Sequence, residues 1–110
     1  MRRLLIIIYG AFYSKIPNWV LQKWVTSQRI SLLEVVAKKG HYKNRIYIAE
    51  HISSLHINGQ HKLINILLDD PVEYISQKII ESSKSLRLLD ELKDRILEKK
   101  NYWFSLKKQR

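Results

Sequence analysis

The chain has 110 residues, of which 45% are hydrophobic, with 20 Lys and Arg against 10 Asp and Glu, a net charge of +10 and no cysteine. That length and apolar content suit a single folded domain with its own core, while three glycines and two prolines are too few for a turn-rich β protein. The missing cysteines exclude disulfides, thiolate metal sites and cysteine nucleophiles, and the excess charge points to anionic partners: nucleic acid, an anionic membrane face or an acidic protein.

The charge is unevenly placed. Residues 1–49 carry nine Lys and Arg against the single Glu34, residues 50–98 carry six against nine acids, and residues 99–110 carry five and no acid. Basic ends therefore flank a nearly balanced middle.

At the N-terminus Arg2 and Arg3 precede a ten-residue apolar and aromatic run, Leu4 to Tyr13. A bilayer-spanning helix needs about 20 apolar residues, so the run is too short to cross. It has the basic start and apolar core of a signal peptide, but no small-x-small cleavage site follows. Pro17 is expected to open a second helix in which Val20 and Trp24 share a face. Two readings of this region stay open. The aromatics are the buried face of a first helix pair, or they form a membrane-interface belt in which Arg2, Arg3, Phe12, Trp19 and Trp24, with Lys15 and Lys23, meet anionic headgroups.

Further along, the chain repeats itself. Leu32–Leu55 lies over Leu63–Leu86 without a gap at an offset of 31 residues, with five identities: Leu32/Leu63, Ile48/Ile79, Glu50/Glu81, Ser54/Ser85 and Leu55/Leu86. Both copies break at the same place by different chemistry. In the first, Lys38 and Lys39 suit the negative end of a helix dipole, and Gly40 is expected to close the helix in the left-handed conformation. In the second, Asp70 is expected as an N-cap, Pro71 as the first helical residue and Glu73 as the far half of a capping box. Asn58-Gly59 is expected to separate the two units. The predicted helices lie near 30–39, 42–57, 60–69 and 71–86. A final amphipathic helix follows, on which Leu86, Leu89, Leu92 and Ile96 share a face, fraying after Lys100.

The second unit, LINILLDDPVEYISQKIIESSKSL, resembles a HEAT-like repeat, in which an apolar helix runs into Asp-x-Pro and then a helix patterned Val-x-x-x-Ala-x-x-x-Leu. Asp69, Asp70 and Pro71 stand at the turn, Ile75 at the valine position and Ile79 at the alanine position. Departures are Ser76 where the pattern has arginine and, in the first unit, Asn44 at the valine position and Gly40 in place of proline. The resemblance covers about half the chain. It implies an all-α fold: a short right-handed α-solenoid of antiparallel helix pairs, with N- and C-terminal capping helices. The expected organisation is one domain, with residues 1–29 as N-terminal helices, 30–57 and 60–86 as the repeat units and 87–110 as a basic C-terminal helix.

Candidate sites are few. His41, His51, His56 and His61 include no pair at the three- or four-residue spacing that puts two ligands on one helical face, so neither a metal nor any other cofactor is expected. Asp69, Asp70 and Glu73 are read as helix-start residues rather than acid–base carboxylates. The densest basic segment, at the first-unit turn, offers Lys38, Lys39, Lys43 and Arg45 for phosphates and Tyr42, with Tyr47, for stacking on bases. The expectation is a non-enzymatic, cytoplasmic interaction module that docks a protein partner on a helical-repeat surface, with no small-molecule substrate. The alternatives are nucleic-acid binding through the basic turn and termini, and peripheral membrane association through the N-terminal helix.

Overall fold

A computed structural model describes residues 15–108. The described residues are helical with no strand, in a slab of 43 × 31 × 18 Å. Its shortest dimension matches two helix layers at an interaxial spacing of about 8–10 Å. We number the α-helices α1 (Asn18–Thr26), α2 (Ile30–Lys39), α3 (Tyr42–Glu50), α4 (Ile57–Leu67), α5 (Glu73–Ser83) and α6 (Asp90–Lys108), with a 3₁₀ turn at Ile52–Ser54. Each helix packs on its neighbour in sequence within a unit, α2 on α3 and α4 on α5. The broadest contacts skip one element: α2 lies on α4, and α3 lies on α5. The core follows from this alternation, with Leu33 of α2 and Leu63, Ile64 and Leu67 of α4 fully buried, as are Ile75 and Ile79 of α5.

The interior is closed by polar residues as well as apolar ones. Asn44 is fully buried on α3 and clamps the backbone of Ile16. Its Oδ1 accepts from the Ile16 N–H at 2.8 Å and its Nδ2 donates to the Ile16 carbonyl at 2.9 Å. Ser76 does the equivalent at the other end, donating to the Leu68 carbonyl at 2.6 Å and accepting from Trp103 Nε1 at 2.8 Å. Asn44 thus fastens the chain ahead of α1, and Ser76 fastens α6.

Several boundaries differ from the expected ones. α3 stops at Glu50 rather than near 57, and the break falls at Leu55 and His56, ahead of Asn58-Gly59. The cause is Gln28, whose Oε1 accepts from the His56 N–H at 2.9 Å while its Nε2 donates to the Ser54 carbonyl at 3.3 Å. Gln28 itself holds a φ of 57°, the left-handed region, so the α1–α2 turn aims this side chain at a break 28 residues away. Asn58 and Gly59 lie inside α4, where Gly59 makes room for Ile30: an added Cβ would come within 2.4 Å of the Ile30 terminal methyl.

Gly40 is extended (φ −80°, ψ 173°) rather than left-handed. Its N–H still closes α2 by donating to the Val36 carbonyl at 2.7 Å, and an added Cβ would meet that carbonyl oxygen at 2.5 Å. The two glycines therefore predict opposite sensitivities. Gly40→Ala is expected to lower stability by roughly 1–3 kcal/mol, because helix backbone cannot yield as a side chain can. Gly59→Ala is expected to cost less than about 1 kcal/mol, since the Ile30 methyl can rotate away and alanine favours the helix. Thermal unfolding of the two variants checks the order.

At the second turn, Val72 rather than Asp70 stands at the N-cap position of α5, and no side chain caps it. Asp70 is buried and turned to other work, described below. α5 ends at Ser83 and α6 begins at Asp90, so the chain between them is not helix as expected near 84–86. Leu89, expected on the packed face, is exposed, while Leu92, Ile96 and Trp103 face the core. α6 runs past Lys100, where fraying was expected, to Lys108. The buried Trp103 and an ion pair from Lys107 to Glu73 (3.5 Å) hold its last turns.

Candidate interaction surfaces

The turn between α2 and α3 places most of its expected residues at the surface. Lys38, Lys39, Tyr42 and Lys43 are exposed, and His41 caps α3 by accepting from the Lys43 N–H through Nδ1 at 3.1 Å. The capping puts the His41 ring against Tyr42, centroids 4.8 Å apart and nearly parallel.

Arg45 does not join them. Its Nε lies 2.8 Å from Asp70 Oδ2, with the two side chains 16% and 4% exposed, and its Nη1 donates to the Gly40 carbonyl at 2.7 Å. The contact with Asp70 is a close ion pair without a linear hydrogen bond, since the buried Nε hydrogen has no aligned acceptor. Asp70 also accepts from the Val72 N–H at 2.9 Å. Arg45 therefore ties the first turn to the second. Tyr47 is half-buried and stacked on His51 at 4.0 Å, away from the role of base platform considered for it.

Asp69 is engaged as well. It receives Arg95 at 2.6 Å and Lys99 at 3.2 Å from α6, and Arg95 also donates to Asn65. Both aspartates of the second turn thus serve as anchors, Asp70 for the first turn and Asp69 for the C-terminal helix.

The aromatic residues considered for a membrane belt divide. Arg2, Arg3 and Phe12 lie outside the described residues. Trp19 is 59% exposed on α1, with Lys23 over its ring at 5.6 Å. Trp24, only 7% exposed, is part of the core, which withdraws it from any surface belt. Near the tail the same split recurs: Trp103 is buried and Phe104 exposed. No described helix is long and apolar enough to cross a membrane.

Among the described residues no three His, Cys, Asp or Glu side chains are grouped to hold a metal ion. Three of the histidines have local structural tasks: His41 caps α3, His51 bonds the Tyr47 carbonyl at 2.8 Å, and His61 bonds the Ile57 carbonyl at 2.7 Å and accepts from the Leu89 N–H at 3.2 Å.

A feature that sequence reasoning did not single out is an open groove of about 770 Å³ between α5 and α6. Glu73, Tyr74 and Glu81 of α5 form one wall and Lys100 and Lys107 of α6 the other, with Ile80 below. Tyr74 is 53% exposed there. The only sequence signal for it was the balanced charge of the region. Comparison of the chain with known protein families, characterised proteins and solved structures finds no match.

Proposed function

We propose that this chain is a non-enzymatic adaptor: a short α-solenoid of two HEAT-like helix pairs that holds a protein partner. The observation that carries the reading is the skipped packing, α2 on α4 and α3 on α5, at the 31-residue offset of the repeat. A helix pair that cannot bury its apolar stripe alone stacks on the next pair, and the stack leaves an extended surface for binding. The α1 and α6 ends act as caps, held by Asn44 and Ser76 respectively.

The groove between α5 and α6 is the docking place for the partner. The exposed Tyr74 supplies an aromatic anchor of the kind enriched at binding hot spots, and Lys84 and Lys100 beside it suit an acidic segment of the partner. In cells, a photo-crosslinking residue at position 74 is expected to give one discrete adduct, absent after Lys100→Glu. A crosslinker at Lys62 on α4 is expected to give none. Indistinguishable adducts from positions 74 and 62 would count against the adaptor reading.

A further inference from the structure

A second surface, at the turn between α2 and α3, has a different character. The fold gathers lysines here that are distant in sequence. The Asn44 clamp holds Ile16 beside α3, which sets Lys15, directly before Ile16, near the start of that helix. Lys38 lines the neighbouring cleft with Arg45, Asp69 and Asp70. One pole of the molecule, where α1 and α3 begin and α2 ends, therefore carries Lys15, Lys38 and Lys43, all exposed.

What makes the pole strongly positive is the fate of its acids. Asp70 is buried and neutralised by Arg45, and Asp69 is neutralised by Arg95 and Lys99. Among the described residues, Lys15, Lys38 and Lys43 have no carboxylate within ion-pair distance. Tyr42, in the same turn as Lys38 and Lys43, is 46% exposed and held against the His41 ring, so an aromatic surface accompanies these lysines.

We infer that this pole binds single-stranded nucleic acid, with Lys15, Lys38 and Lys43 on the phosphates and Tyr42 stacking on a base. Ammonium groups that track a backbone, interleaved with an aromatic ring, are the two elements of sequence-tolerant single-strand binding. With His41 against one face of Tyr42 and the residue 46% exposed, base stacking would use the other face; a lipid headgroup surface is the competing occupant that the test below separates. The inference is independent of the α5–α6 groove, which lies on other residues.

The test is fluorescence anisotropy of the full chain with a labelled oligothymidylate of about 15 nucleotides. Three phosphate contacts on a single strand predict a slope of log affinity on log salt near −2, or roughly a 20-fold loss between about 50 and 200 mM salt. Changing Lys15, Lys38 and Lys43 together to Glu is expected to lower affinity about tenfold or more. The charge-matched change of Lys62, Arg87 and Lys93 to Glu, exposed residues in the middle of α4 and around the start of α6, is expected to lower it far less. If the first triple loses helicity, the same positions changed to Gln replace it. Tyr42→Ala is expected to weaken binding by roughly five- to 150-fold and Tyr42→Phe to preserve it. Equal losses from the two triples, undiminished binding by Tyr42→Ala, or capture by phosphatidylserine vesicles with none of the oligonucleotide would each overturn the inference.

Discussion

Replacing Arg45 by alanine is expected to destabilise the protein by roughly 3–5 kcal/mol, a large share of the total for a domain of this size. The reason is what remains: Asp70, with its side chain 4% exposed, would keep its carboxylate inside the fold with no cation opposite it. The pair is not expected to be worth that amount as an attraction, because both charges were taken out of water to form it. The sharper measurement is therefore a double-mutant cycle by urea unfolding. Asp70→Asn keeps an oxygen for the Val72 N–H, and Arg45→Met keeps most of the packing volume. The double variant is expected to recover more than half of the loss seen in Arg45→Met alone. Additive losses would mean that Asp70 and Arg45 do not stabilise each other, and the link between the two turns would have to lie elsewhere.

The second large effect is expected at Asn44. Asn44→Ala removes both hydrogen bonds to Ile16 and leaves a buried N–H and a buried carbonyl without their partner, at about 1–3 kcal/mol for each group. A loss of roughly 2–5 kcal/mol is the expected result. Because Ile16 is 1% exposed and precedes α1, the change is expected to act locally first. Hydrogen exchange at the Ile16 amide should rise to the level of local opening while α4 and α5 stay protected. Uniform loss of protection along the chain would show that the clamp is part of the global core rather than a fastening for the N-terminal cap. The same variant bears on the nucleic-acid pole, since the clamp fastens Ile16, the residue after Lys15, to α3.

Neither residue stands out on inspection of the sequence. Arg45 reads as one more cation in Lys43-Asn44-Arg45, and Asn44 as a polar residue where the repeat pattern calls for valine. Their importance comes from partners 25 and 28 positions away, Asp70 and Ile16. The same is true of Gln28, which decides where α3 and its following turn end, and of Ser76, which receives Trp103. Each is a polar side chain buried or half-buried because a specific distant backbone or ring atom meets its hydrogen-bonding need. Such a match depends on where helices are placed in space, and side-chain periodicity carries no trace of it.

Apolar periodicity carried further. A helix was expected near 30–39, and α2 spans Ile30–Lys39 with Leu32, Leu33, Val36 and Ala37 on its buried face. Ile75 and Ile79, at the valine and alanine positions of the second unit, are both buried. Where local punctuation competed with a tertiary contact, the contact prevailed. Asn58-Gly59 reads as a helix stop, yet Gly59 is there because Ile30 needs the space. Asp70 reads as an N-cap, yet its carboxylate is drawn to Arg45. The single basic turn read from Lys38 to Arg45 is likewise reshaped: Arg45 leaves it for the interior and Lys15 enters it from another part of the chain.

The sequence by itself determined the helical class and the basic character of the ends, because composition and apolar period act locally and need no knowledge of neighbours. Only the tertiary structure decided which charges are consumed and which are presented. Coulombic attraction between Arg45 and Asp70, and between Asp69 and the cations of α6, is strong only at contact distance, and contact distance is set by the stacking of helices. That selection leaves Lys38 and Lys43 of the first turn, and Lys15 ahead of α1, among the exposed cations of a chain whose net charge is +10.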